Sequence, residues 1–224
     1  MSTSRDAILT RLRDNRPDPK AHPLPPVARL GDMDNGQARF ENSLQLLGGQ
    51  VLERQEGDTL ATAIARRFPD SKIICSAVPH FDGTIRIEEL GTPQQAASVD
   101  VLVLRSPFVI SEMGSIYLSE AQLKDLNSAS HLTQHIVVIL SAKNLTANMH
   151  TAYMDRPEFH TANYGVLMSG PSATADIQGV LIRGAQGVRT LSIWWEDKDP
   201  DHFGEPPFLK KQEQLAQVRL FCPY

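Results

Sequence analysis

Hydrophobic positions along the chain change period several times, and each change marks an element. Phe40, Leu44 and Leu47 recur at helical spacing, and Gly48-Gly49 stops the run. In "DTLATAIARRF" (58–68), Leu60, Ile64 and Phe68 share one face, with Asp58 or Thr59 placed to cap. Thr92-Pro93 reads as a cap followed by a first-turn proline, opening a short helix through Ala97. Compact apolar runs lie between these helices: "QVLER" (50–54), "KIICS" (72–76), "VDVLVL" (99–104), "PFVI" (107–110), "SIYLS" (115–119), "HIVVILS" (135–141), "YGVLMS" (164–169) and "TLSIWWE" (190–196). They predict strands. "NLTANMHTAYM" (144–154) reads as helical. Runs such as "IVVIL" do not alternate, as in strands of parallel sheets covered on both faces. The expected fold is therefore α/β: a central, largely parallel sheet with helices on both faces.

The pattern also divides the chain. Residues 1–35 hold a short helix over 5–14, with Ile8, Leu9 and Leu12 on one side. A connector with five prolines between 17 and 26 follows, where helix and ladder are both blocked. Residues 36–196 form the α/β domain. Residues 197–224 are a C-terminal extension: a polar exit loop, then an amphipathic stretch with Phe208, Leu215 and Val218, packing on the same domain or on a partner. The bulk composition narrows the function. The 224 residues carry a net charge of −4 and a pI near 6.0, which argues against a nucleic-acid or anionic-membrane surface. No apolar core of a signal peptide and no membrane-length run is present, so a cytoplasmic protein is expected. Cys75 and Cys222 lie far apart and offer no disulfide framework, zinc knuckle or iron–sulfur site. His131 and His135 are four apart, but the second opens a strand, so no metal site is expected there. His80, in "AVPHFDG", is a candidate loop acid or base, against the plainer reading of an exposed loop histidine.

Two stretches concentrate candidate chemistry. The first is "MSGPSATADIQGVLIRGAQG" (168–187). Gly170 and Pro171 set a sharp turn after an apolar strand, and Ser172 and Thr174 offer hydroxyls. Ile177, Val180 and Leu181 then give the buried face of an expected helix, whose first amides would suit a carboxylate or phosphate. Asp176 falls in its first turn, and Gly184 ends it. Gly179, in mid-helix, implies a close backbone. The plainer reading makes Ser172 or Thr174 a simple cap. The second stretch is "VISEMGSIYLS" (109–119), where Glu112 stands between two apolar strands just before Gly114 and Ser115. A carboxylate at such a bend can act as nucleophile or base.

With these residues in place, the chain resembles the lactate-utilisation protein C family, built on a LUD domain. "GPSATADIQGVLIRGAQG" looks like that family's glycine-proline-serine-x-threonine-alanine-aspartate-isoleucine stretch and its following glycine-rich turn. "SEMGS" resembles the family's acid-threonine-glycine-threonine element, and "HLTQHIVVI" the segment between the two. The match covers about 36–196. Met113 replaces a usual threonine, Gln186 a usual histidine and Val188 a usual proline. The resemblance implies the fold group of glucosamine-6-phosphate deaminase, ribose-5-phosphate isomerase and coenzyme A transferase. It implies an accessory role in oxidising L-lactate to pyruvate beside iron–sulfur partner proteins, with a small anionic metabolite bound near Gly170, Pro171, Ser172, Thr174, Asp176, Gly114, Ser115, Gly184, Gln186 and Gly187. This chain would then bind no cofactor itself, and homo-oligomers remain open. Two alternatives stand beside it. "SEMG" is similar to the serine-glutamate-asparagine-glycine element of coenzyme A transferases, which would make Glu112 a nucleophile. The altered second turn instead fits a non-catalytic ligand-binding or scaffold protein. The spatial expectation common to the catalytic readings is that Glu112 and the Gly170 corner face one hollow.

Overall fold

The computed structural model describes residues 3–17, 36–175 and 179–196. Residues 1–30 and 31–224 form two separate compact units. In the first, α1 (Ser4–Asp14) begins at Thr3, whose side chain and that of Asp6 cap each other's amides. It buries no residue within its unit, and Ile8 and Leu12 are exposed. The proline-rich connector beyond Pro17 and the C-terminal extension lie outside the described residues.

The second unit carries the helices α2 (Gln37–Leu46), α3 (Leu60–Arg67), α4 (Pro93–Ala97), α5 (Glu120–Leu123), α6 (Ala129–Leu132), α7 (Met149–Asp155) and α8 (Glu158–Thr161). Its strands in chain order are β1 (Gln50–Val51), β2 (Ile74–Ser76), β3 (Ile85–Arg86), β4 (Val101–Arg105), β5 (Val109–Ile110), β6 (Ser115–Ser119), β7 (His135–Leu140), β8 (Leu145–Thr146), β9 (Gly165–Met168), β10 (Ala173–Ala175), β11 (Leu181–Arg183) and β12 (Thr190–Trp195). Six of them make one sheet in the order β1-β12-β7-β4-β2-β3, parallel throughout. The continuous apolar runs have the expected cause. Val101, Val103, Val137, Ile139 and Trp194 meet α3 through Ala63 and Ile64 on one face. Leu102, Leu104, Ile136, Val138 and Leu191 meet α2, α4, α5 and α6 on the other, through Phe40, Leu44, Ala96, Leu123 and Ala129. The fold is α/β with helices on both faces, as the alternation of elements predicts.

Beyond β8 (Leu145–Thr146), which takes the start of the helix expected over 144–154 and leaves only Met149–Asp155 helical, two features depart from the sequence reading. The runs over 107–110, 115–119 and 164–169 do not join the parallel sheet. They form a second sheet, β8-β5-β6-β9, in which β6 is antiparallel to both neighbours. Its alternation decides its place: Val109, Ile116, Leu118 and Met168 enter the main core, while Phe108, Ile110 and Tyr117 face outward onto Ala152 of α7 and Phe159 of α8. Phe108 and Tyr117 stack with centroids 4.7 Å apart, and burial pushes the Tyr117 phenol up to about 12.

The second departure concerns the helix expected after Gly170. Residues 173–175 and 181–183 instead pair as an antiparallel hairpin, Ala173 opposite Arg183 and Ala175 opposite Leu181. Ser172 N–H donates to Val188 C=O, and Gly184 N–H donates to Ser172 C=O, closing its base. So short a segment forms a helix only if it can bury an apolar stripe. Here Val180, Leu181 and Ile182 stay 58, 56 and 45% exposed, so no packing supports one. Gly179 has nothing within 4 Å of its missing Cβ, so among the described residues the close backbone inferred for it is absent; its φ is +75°. Asp176 and Ile177 lie outside the described residues.

Candidate functional site

Both predicted stretches press against the C-terminal end of α2. Phe40 and Leu44 anchor that helix in the core. Gly114 (φ +58°) sits so close that a Cβ would lie 2.3 Å from Leu44 N. A Cβ on Gly170 would lie 2.4 Å from Leu47 O. The two stretches also meet through a half-buried hydroxyl pair, Ser115 Oγ and Ser169 Oγ, 2.6 Å apart. Gly114, Ser115 and Gly170 therefore share one neighbourhood, and backbone approach explains both glycines.

A groove of about 660 Å³ opens beside Gly170. It gathers Ser169–Ala173 from one stretch and Gln186–Val188 from another, with Ser130, His131 and Leu47 completing the wall. Of the predicted residues, Gly170, Pro171, Ser172, Gln186 and Gly187 line it. Thr174 sits on the exposed hairpin and Gly184 at the hairpin base, both outside the lining. Glu112 is exposed and does not line the groove either. Its N–H donates to Ala147 C=O, its own C=O accepts from Ser43 Oγ, and among the described residues its carboxylate accepts no hydrogen bond.

The electrostatics of the corner also differ from expectation. The segment after Gly170 opens a strand and not a helix, and the Ser172 amide is committed to Val188 C=O. What faces the groove is a set of polar donors and acceptors: the Ser172 hydroxyl, the Gln186 amide and the His131 imidazole, whose Nε2 lies 3.2 Å from Tyr164 OH. No carboxylate or guanidinium lines it among the described residues. Such a set orients a small polar molecule through hydrogen bonds and lacks a paired nucleophile and base. His131 was missed as a groove residue, because its spacing from His135 drew attention only as a possible metal pair. A histidine four residues before a buried strand, in a protein whose glycine turn abuts the start of a neighbouring strand, was the available signal.

Residues 27–193 match the family pattern described as the LUD domain. The chain belongs to the LUD domain family. A similar solved structure, a DUF162 family protein from Deinococcus radiodurans, shares 14% identity with this LUD domain protein, covering 70% of this chain and 94% of that one with a TM-score of 0.49. No curated protein matches the chain significantly. In this LUD domain, among the described residues, no helix is long and apolar enough to cross a membrane, and no group of three or more His, Cys, Asp and Glu could hold a metal ion.

A second polar hollow, about 450 Å³, lies at the amino ends of β4, β7 and β12. His135 stands in it, with Nδ1 2.8 Å from Thr190 Oγ1 and its ring 4.7 Å from Phe68. Burial lowers its pKa, and the nearby Arg189 and Arg67 lower it further. A depressed histidine favours the neutral folded form, so its contribution is fully present above its unfolded pKa of about 6.5 and is lost as pH falls below that. Urea midpoints are expected to drop between pH 7 and pH 5, and His135→Gln is expected to flatten that drop. An equal slope in both proteins would remove His135 as its source.

Proposed function

We propose that this LUD domain protein is an accessory component of lactate oxidation that binds a small organic anion, such as L-lactate or pyruvate, in the groove beside Gly170. One observation carries the reading: the stretch 168–173, which resembles the family's signature, and the glycine turn at 186–188, where Gln186 and Val188 depart from it, converge with His131 on one groove of metabolite size. The hydroxyl of Ser172, the amide of Gln186 and the imidazole of His131 supply hydrogen bonds to a carboxylate and an α-oxygen. The groove walls, Leu47, Val166 and Val188, take the short carbon chain. Iron–sulfur clusters take up to four thiolates, and this chain has two cysteines, so the redox centres belong to partner proteins in this reading.

Binding is expected to raise the melting temperature by a few degrees with L-lactate or pyruvate at saturation, since a ligand held only by the folded state stabilises it by about 2–3 kcal/mol at a hundredfold excess over Kd. Gln186 is exposed, so Gln186→Trp fills the groove without disturbing the core, and it is expected to abolish that shift. Silence of the wild-type protein to both acids would sink the groove as their site. Co-purification of iron–sulfur proteins with the tagged chain tests the accessory role separately.

A further inference from the structure

The opposite edge of the parallel sheet holds a cleft that neither signature stretch reaches. β2, β4, β7 and β12 all end there, and the space between them is about 520 Å³. From β2 the chain continues outward to β3, whereas from β4 it continues the other way to β7. The crevice thus covers a reversal of winding direction, the place where open α/β sheets take ligands beyond their carboxyl ends.

The chemistry of this cleft is unlike that of the groove. Arg105, the last residue of β4, is only 7% exposed and ion-pairs with Glu196, the residue after β12. Glu196 is 33% exposed, so the carboxylate is the solvent-facing member of the pair. A second guanidinium, that of Arg54, lies 4.2 Å from the Trp194 ring centroid. Trp194 and Phe81 are buried apolar wall, His80 stands exposed at the rim, and two further carboxylates line the cleft, Asp58, which is ion-paired with Arg66, and Asp82. A buried guanidinium needs an anion beside it. Here that anion comes from the chain itself, held by a residue at the end of a strand. A carboxylate or phosphate from solution presents the same oxygen fork to the guanidinium.

We propose that this cleft is a second ligand site, for a small oxyanion that replaces Glu196 on Arg105 and is clasped from the rim by Arg54. Glu196 acts as a built-in surrogate that occupies this position on the guanidinium when the site is empty and competes with the ligand. The proposal stands independently of the lactate reading, because it uses none of the groove residues.

The test is rescue of Glu196→Gln by simple anions in a low-chloride buffer. The variant is expected to melt below the wild type, and sodium acetate or inorganic phosphate should restore it saturably, at concentrations about tenfold lower than any effect on the wild type. Arg105→Gln combined with Glu196→Gln should lose the rescue. Rescue by acetate alone assigns a carboxylate ligand, rescue by phosphate alone a phosphate, and rescue by both an oxyanion of either kind. Absence of rescue, the same rescue by sodium chloride, or rescue that survives in the double variant overturns the proposal. Should Glu196→Gln fail to fold, tryptophan fluorescence of the wild type decides: saturable change with acetate or phosphate, weakened about tenfold by Arg54→Ala, supports the site, and no saturable change overturns it. Gln186→Trp should leave these anion responses unchanged, so failure here and failure of the groove are separable.

Discussion

Gly114→Ala is expected to destabilise the α/β unit by about 2–5 kcal/mol. Two costs combine. The φ of +58° is a left-handed conformation that disfavours any Cβ by about 1–2 kcal/mol. The added carbon would also stand 2.3 Å from Leu44 N and 2.7 Å from Leu44 Cα and Ser43 C. All three are backbone atoms of α2, so no side chain can rotate away, and overpacking of this kind costs about 1–3 kcal/mol or more. α2 would have to lift from the bend, and Ser115 would move from Ser169, whose neighbour Gly170 opens the groove. The measurement is the urea midpoint, with Met113→Ala as control. Met113 is 41% exposed, and its truncation should stay within about 0.5 kcal/mol. A Gly114→Ala protein as stable as the control would show that α2 and the bend are not in the contact described.

Phe40→Ala is expected to cost about 3–5 kcal/mol, the range for removing a buried ring and leaving a cavity. Phe40 is 0% exposed and meets Trp195 edge-on at 5.7 Å. The Trp195 indole N–H donates to Glu41, the next residue on α2, at 2.6 Å. The ring and the indole bond together tie α2 to β12, the strand that follows the second glycine turn. Phe40→Leu, which keeps most of the volume, should lose far less. Equal losses in the two variants would place the stabilisation elsewhere than in the aromatic contact. In the alanine variant the Trp195 environment changes, so tryptophan emission should shift red before global unfolding.

The candidate site was only half legible in sequence. Gly114, Ser115, Gly170 and Ser172 stand out because special backbone and hydroxyls at the ends of apolar runs are local signals, and the structure does place the two stretches against one helix. The expectation that Glu112 and the Gly170 corner face one hollow concerned stretches far apart in the chain, which spacing does not locate. A bend can present its acid to either side, and here the acid lies outside the groove lining. The groove residue His131 and the Arg105–Glu196 pair were invisible for a different reason. Each depends on which strands become neighbours, and Arg105 and Glu196 are 91 positions apart.

Local pattern alone determined the elements with a strong period and the caps that bound them. Thr59 and Thr92 cap their helices, and the uninterrupted runs at 101–105, 135–140 and 190–195 become strands buried on both faces. These outcomes follow from interactions spanning a few residues or from burial on every side, which composition reveals. Tertiary structure decided the rest: that 109–110, 115–119 and 165–168 form a second sheet, that 173–175 pairs with 181–183, and which charges meet at the sheet's carboxyl edge. Short apolar segments are compatible with strand or helix in either sheet. The choice falls to whichever arrangement buries a face and satisfies the backbone, and those partners come from distant parts of the chain.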